Sequence, residues 1–436
     1  MKKEKISIFW FRRDLRLNDN AGLYHALKSP YPVLCLFIFD EEILAQLNDK
    51  KDARVGFIYN VVSDLHDDLH KHNSSLLVIH NTPEKAWRQI LTEYDVAEVY
   101  TNHDYEPYAK QRDNEIATLL KKHDITFNTY KDQVIFETDE VVKDDGKPYT
   151  VFTPYSRKWR AKLNDFYLQT YPLKKYLKNL YQTRALPLPA LGALGFESSD
   201  QTIPAKTYKS IIDDYAETRD FPALKGTSRI GIHLRFGTVS IRQLATDANN
   251  ATEKTWLNEL IWREFYMMVL HHFPQTVDHA FRPEFDRIGW MNDETQFEAW
   301  CKGQTGYPLV DAGMRELNAT GFMHNRVRML TASFLSKHLL IDWRWGERYF
   351  AEKLLDYEMA SNVGGWQWAA GCGTDAAPYF RIFSPDAQTK KFDPEFKYIK
   401  KWVPEYADFS IYPKPIIDHA FARDRCLKAF KAALSK

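Results

Sequence analysis

Nowhere in the 436 residues does an apolar run approach the ~20 positions a membrane-spanning helix needs; the best, Val33 to Phe39, has a strand's length. Met1 to Lys5 leads at once into a strand-like run, so no signal peptide is expected. Cysteine is scarce: Cys35, Cys301, Cys372 and Cys426 stand apart with no CxxC spacing. That argues against a disulfide framework, a zinc site and a four-cysteine iron–sulfur cluster, and it predicts a reducing cytoplasm and no metal site. Gly and Pro, at 18 and 20, are not enriched, which excludes low-complexity and fibrous classes. An excess of charge of one sign is missing too. With 59 basic against 58 acidic residues, no global field attracts nucleic acid, and any DNA binding must rest on a local patch. What remains is an ordinary globular composition, 44% apolar and 27% charged, long enough for two or three domains. Aromatics are plentiful at 14%, with 12 Trp.

The first third alternates short apolar runs with helical periodicity. Ile6 to Phe11, Val33 to Phe39, Ser75 to Ile79 and Val96 to Tyr100 are rich in β-formers, and Arg54 to His72 has apolar residues at three- and four-residue spacing. Continuous apolar strands between helices predict a parallel sheet covered on both faces, an α/β Rossmann-like domain over 1–130. The first strand runs into Arg12-Arg13-Asp14-Leu15-Arg16-Leu17-Asn18, so the glycine fingerprint of a dinucleotide-binding loop is missing. Over 131–205, prolines such as Pro148, Pro154, Pro172, Pro187, Pro189 and Pro204 break the pattern and predict an extended interdomain linker. Beyond Tyr208 the periodicity is almost wholly helical, in Trp256 to His272, Tyr307 to Ala319, His324 to His338 and Trp345 to Tyr357, which predicts an all-α domain over 206–436.

Three stretches could carry chemistry. Glu259, Trp262 and Arg263 fall at i, i+3 and i+4, so a carboxylate, an indole and a guanidinium share a helix face. A planar heterocycle could stack on the indole while the charged pair reads its edges. A half-buried helix with a surface ion pair is the alternative, and these residues alone favour it. Asn325 and Met329 stand one turn apart with Arg326 and Arg328 between them, a set suited to a base or phosphate, although these residues alone again favour a solvated basic face over a Met core contact. The third stretch, Leu354 to Asp375 and on to Arg381, holds Asp356, Asn362, Gly364-Gly365, Trp366 and Trp368. Glycine permits backbone approach to something flat, and Asp356 and Asn362 can hydrogen-bond it, so a ligand explains this stretch better than a core turn does. Gly226 to Gly231 offers hydroxyls and N–H groups to a phosphate, as an ordinary helix cap would. Trp290 and Trp343 read as core residues unless they line up with Trp366.

Taken together, these motifs resemble those of the photolyase/cryptochrome family, most closely its bacterial cyclobutane pyrimidine dimer photolyases. The likeness is carried by Phe9 to Asp19, Trp256 to Tyr266, Gly306 to Asp311, Met323 to Met329 and Gly364 to Phe383, and it extends to Trp402. It implies a lyase that uses reduced FAD and light to split cyclobutane pyrimidine dimers in double-stranded DNA, with a blue-light receptor of the cryptochrome type as the alternative. Its FAD pocket would use Tyr215, Thr227, Ser228, Arg229, Ile230, Trp256, Arg263, Asn325, Asp356, Glu358 and Asn362. Gly231 and Glu358 depart from the Ser and Asp usual there. The lesion would meet Glu259, Trp262, Asn325, Met329 and Trp368, and DNA phosphates would meet Arg219, Arg326 and Arg381. Trp366, Trp343 and Trp290 match the relay that photoreduces the flavin; Trp345 falls outside it.

Asn325 and Met329 stand where the family's (6-4) enzymes place proton-donating histidines, so the cyclobutane dimer is the expected lesion. Tyr108 and Ala109 replace the Asn-Glu pair of folate-type antenna enzymes, which leaves folate, deazaflavin, a flavin or an empty antenna site open. A monomer without a membrane partner is expected.

Overall fold

A computed structural model describes residues 3–435. They divide into two compact units: one takes the chain up to Glu137 with Lys162–Lys206 and Ile230–Asp247, the other takes Thr138–Ala161, Thr207–Arg229 and the chain from Ala248 onward.

The first unit is built on β1 (Lys5–Phe11), β2 (Val33–Asp40), β3 (Leu76–Asn81), β4 (Asp95–Asn102) and β5 (Thr126–Tyr130), all parallel in the order β3-β2-β1-β4-β5. Its longer helices are α1 (Ala21–Leu27), α2 (Ala53–His70), α3 (Pro83–Glu93) and α4 (Pro107–Lys121). The strand period of two explains why the apolar runs are continuous. Ile6, Ile8 and Trp10 of β1 join Leu34, Leu36 and Ile38 of β2 in one core. Phe9 and Phe11 join Cys35, Phe37 and Phe39 in the core on the opposite face. Burying one such side chain contributes about 1.5–3 kcal/mol. The expected strands are all present. β5 escaped the sequence because Thr-Phe-Asn-Thr-Tyr is a half-buried edge strand with too few apolar residues to register. After β1, buried charges take the place of glycines: Asp14 accepts from the Arg12 N–H at 2.7 Å, and Asp132 binds Arg16 at 2.6 Å and Arg242 at 2.7 Å.

The second unit is helical: α5 (Thr255–His272) packs on α9 (Met359–Ala370), and α6 (Pro308–Thr320), α7 (Asn325–Ser333), α8 (Trp343–Lys353), α9 and α10 (His419–Leu434) surround one core. The periodic stretch from His324 to His338 divides into α7 and a π-helical turn at Phe334–His338. The Gly306 to Asp311 motif proves to be a fastening. Buried Asp311 accepts from the Thr305 N–H at 2.8 Å, the Thr305 hydroxyl at 2.6 Å, the Gly306 N–H at 3.1 Å and the Tyr412 hydroxyl. Two glycines set helix contacts. A Cβ on Gly346 would stand 2.0 Å from the Trp366 indole, and one on Gly364 would stand 2.2 Å from the Tyr266 ring. No helix among the described residues is long and apolar enough to cross a membrane.

His324 caps α7 by accepting from the Arg326 N–H and is buried, with its Nε2 unpartnered among the described residues. Burial, then the charges of Arg328 and Arg326, hold its pKa down to about 4 from the ordinary 6.5. The unfolded chain therefore binds the proton first, and stability present above pH 6.5 is lost as pH falls toward 4. Between pH 7.5 and pH 5 the loss from this one group is about 2 kcal/mol. Urea midpoints at the two pH values should shift accordingly. His324→Asn, which keeps a capping acceptor but cannot titrate, should shrink the shift; an unchanged shift would place the acid sensitivity elsewhere.

Candidate active site

The second unit contains a cavity of about 390 Å³, lined from α5, α7, α8, α9 and the segment before α9. α5 supplies Glu259, Trp262, Arg263 and Tyr266, one face at i, i+3, i+4 and i+7, while Leu257, Leu260, Ile261 and Phe265 bury its other faces. α7 repeats the spacing with Asn325, Arg328, Met329 and Ala332. From α9 and the residues before it come Asp356, Glu358, Asn362, Gly365, Trp366 and Trp368.

Ion pairs organise these side chains. Arg263 Nε lies 2.8 Å from Glu358 Oε2, and both side chains are nearly inaccessible at 10% and 7%. Arg328 donates to both oxygens of Asp356 at 2.9 and 3.1 Å and to the Met323 carbonyl at 2.6 Å. Asn362 donates from Nδ2 to the Glu347 carbonyl at 3.0 Å and to its carboxyl Oε1 at 2.8 Å. Glu259 pairs with Arg219, and burial raises its pKa against the pull of that guanidinium. Arg326, which lies outside the lining, is 2.5 Å from Asp220, and Arg219 Nε stands 3.8 Å from the same carboxylate. Trp262 stacks on Phe152 at 3.7 Å with planes 5° apart. Trp366 is buried, edge-on to Phe350 at 4.9 Å and to Trp300 at 6.0 Å, and its indole N–H has no partner among the described residues.

Several of the sequence candidates thus converge: Glu259, Trp262, Arg263, Asn325, Met329, Asp356, Glu358, Asn362, Trp366 and Trp368 all line the cavity, joined by Arg219. Others do not reach it. Trp256 is buried and stacks on Tyr208 at 5.5 Å. Tyr215 lies under the Arg219 guanidinium at 5.3 Å. Thr227 and Ser228 are half-buried, Ile230 is buried, and exposed Arg229 pairs with Glu316 at 3.4 Å. Arg381 is exposed. Buried Trp343 and half-buried Trp290 belong to the core that holds Trp366, and Trp345 packs on Phe297 at 5.2 Å.

The glycine pair needs correcting. Only Gly365 lines the cavity, while the flat object against Gly364 is the protein's own Tyr266. Sequence reasoning overlooked Arg328 as the partner of Asp356, and Tyr266, although both fall on helix faces already singled out. Glu347 and Phe152 carried no signal, being remote in sequence from the residues they hold.

No His, Lys or Cys lines the cavity among the described residues. Indoles, an amide and guanidinium–carboxylate pairs without a nucleophile–base couple define a site where a bound aromatic group carries the chemistry and the protein orients it. Two family descriptions match: "DNA photolyase" over residues 7–175 and "FAD binding domain of DNA photolyase" over 256–411. The chain belongs to the DNA photolyase family. It is 38% identical to a deoxyribodipyrimidine photo-lyase of Synechococcus sp., over 94% of this chain and 90% of that protein. Its fold matches a class III photolyase of Agrobacterium tumefaciens with a TM-score of 0.84 at 30% identity, covering 100% of this chain and 99% of that one. An archaeal photolyase from Sulfolobus tokodaii, described with two FAD molecules, matches with a TM-score of 0.83 at 34% identity over 98% and 99%.

The side chains present fit FAD: two buried or half-buried cation–carboxylate pairs, a fixed amide, an unpartnered indole N–H, and Gly365, where a Cβ would meet nothing within 4 Å.

Proposed function

We propose that the cavity binds FAD and a flipped-out cyclobutane pyrimidine dimer, and that the protein splits the dimer under light. The observation that carries this reading is the convergence of Glu259, Trp262, Asn325, Met329 and Trp368 with Arg263, Asp356, Glu358 and Asn362 on one cavity. When bound, reduced FAD supplies an electron to the dimer on illumination and recovers it after the ring opens. Arg263–Glu358 and Arg328–Asp356 hold the cofactor's polar edges, with Glu358 reaching the guanidinium despite its departure from the usual Asp. Glu347 fixes Asn362 through Nδ2, which leaves the amide oxygen to accept an N–H. Trp262, braced by Phe152, and Trp368 clasp the flipped bases. In the bound state Arg219 turns to a phosphate, and Glu259, already pushed toward its neutral form by burial, donates a hydrogen bond to the dimer and its extra charge.

Tyr215, Thr227, Ser228, Arg229, Ile230 and Trp256 complete the cofactor site in this reading, with Trp366, Trp343 and Trp290 as the reducing relay. In this reading the antenna domain expected over 1–130 is the heart of the first unit and the FAD- and DNA-binding domain expected over 206–436 that of the second. The stretch 131–205 is no free linker, since Thr138–Ala161 packs in the second unit and Lys162–Lys206 in the first, which also takes Ile230–Asp247. The two FAD molecules of the Sulfolobus protein make a flavin a candidate antenna beside folate and deazaflavin. The enzyme works as a cytoplasmic monomer on nucleoid DNA.

Illuminating reduced protein with a thymine-dimer oligonucleotide and, in parallel, a (6-4) oligonucleotide tests the assignment. Repair of the first alone is expected. Repair of the second alone would overturn the roles of Asn325 and Met329, and repair of neither, with flavin fully reduced, would favour a receptor.

The DNA face carries its own prediction. Asp220 holds Arg326 and stands near Arg219, as a phosphate would, so it competes with DNA for both. Asp220→Asn should tighten binding to damaged and undamaged duplexes alike. Arg326→Ala should weaken both and reduce the log–log salt slope by about 0.9 for the phosphate lost. Trp262→Ala should act on damaged DNA selectively, by ~1–3 kcal/mol. Fluorescence anisotropy over a salt series measures all three, and selectivity for damage altered by Arg326→Ala would contradict a phosphate role.

A further inference from the structure

The geometry points to a divalent transition-metal site at the C-terminal end of α5, formed by His271, His272 and Asp139. One ligand atom from each side chain lies within 4.8 Å of the others. His272 Nε2 stands 3.3 Å from Asp139 Oδ1 and 3.1 Å from the Thr138 carbonyl oxygen. The two imidazoles are 5.0 Å apart and close to perpendicular, at 84°. An imidazole nitrogen therefore faces a carboxylate oxygen and a carbonyl oxygen, an arrangement that needs a proton or a cation on the nitrogen. A proton on Nε2 answers one or two of the oxygens. A divalent ion answers all of them and adds His271.

Two further features favour a cation. The carbonyl end of α5 carries the negative pole of the helix dipole. Access is open, since Asp139 is 74% exposed while His272 is 18% exposed. Bonds of about 2.0–2.2 Å require the three groups to close in, and the exposed Asp139 side chain has the freedom to swing inward. Two imidazoles and one carboxylate select Zn²⁺, Co²⁺ or Ni²⁺ over the oxygen-seeking Mg²⁺ and Ca²⁺, and leave a coordination position for water. None of this needs cysteine, so cysteine spacing could not have signalled it. The bound ion would tie Thr138–Asp139 to the end of the helix whose earlier turns present Glu259, Trp262 and Arg263 to the cavity, which makes it a structural clamp remote from the chemistry.

The test is calorimetric titration of Zn²⁺ into tag-free, FAD-loaded protein that has been dialysed against chelator, with thermal melting in parallel. One ion per chain is expected at micromolar affinity, together with a rise in melting temperature. His272→Gln and Asp139→Asn, each checked for native FAD absorbance and circular dichroism, should weaken binding at least tenfold and abolish the rise. His271→Gln should weaken it as well. Absence of binding by the unaltered protein at millimolar Zn²⁺ would overturn the site, and so would undiminished affinity in the His272 and Asp139 variants. Mg²⁺ binding as tightly as Zn²⁺ would overturn the donor assignment.

Discussion

Replacing Trp366 by Phe is expected to reduce light-driven flavin reduction to its background rate while leaving dimer repair by chemically pre-reduced protein intact. The indole is 2% exposed, packed edge-on between Phe350 and Trp300 and pressed against Gly346. Phenylalanine keeps an aromatic ring in that slot but is far harder to oxidise. Because no acceptor among the described residues faces the indole N–H, its removal leaves no protein acceptor unpaired. Flavin absorbance under blue light with an external reductant gives the rate, and oligonucleotide repair after dithionite gives the second arm. Loss of repair in the pre-reduced variant would make Trp366 structural or a lesion contact and end the relay assignment.

Asp356→Ala should lower FAD affinity by roughly ten- to a hundredfold. The substitution removes both acceptors of Arg328 Nη2 and leaves a half-buried guanidinium without its carboxylate. Leaving a charged hydrogen-bonding group unsatisfied costs on the order of 1–3 kcal/mol, and each 1.4 kcal/mol is a factor of ten. Arg328 keeps its bond to the Met323 carbonyl, which limits the loss. Glu358→Gln should do less, since the amide oxygen can still accept from Arg263 where the carboxylate stood at 2.8 Å. The flavin-to-protein absorbance ratio of purified variants ranks the two. Full occupancy in the Asp356 variant would remove that residue from the cofactor site.

Sequence alone determined what depends on local periodicity. The alternation of Ile6, Ile8 and Trp10 with Phe9 and Phe11 required a sheet buried on both faces, because side chains of a strand point alternately up and down. The 3.6-residue period likewise puts Glu259, Trp262 and Arg263 on one face of α5. Tertiary structure decided what depends on chain segments meeting. Periodicity is blind to which carboxylate a guanidinium finds, so Asp356 and Arg328, Glu347 and Asn362, and Asp220 and Arg326 became pairs only in the fold. The same holds for Gly364, whose missing side chain makes room for Tyr266 from another helix, and for Asp311, whose partners include Tyr412 some hundred residues away. Contacts between segments remote in the chain leave no periodic trace in either segment, because each partner is chosen by the packing of the whole unit and not by its own neighbours.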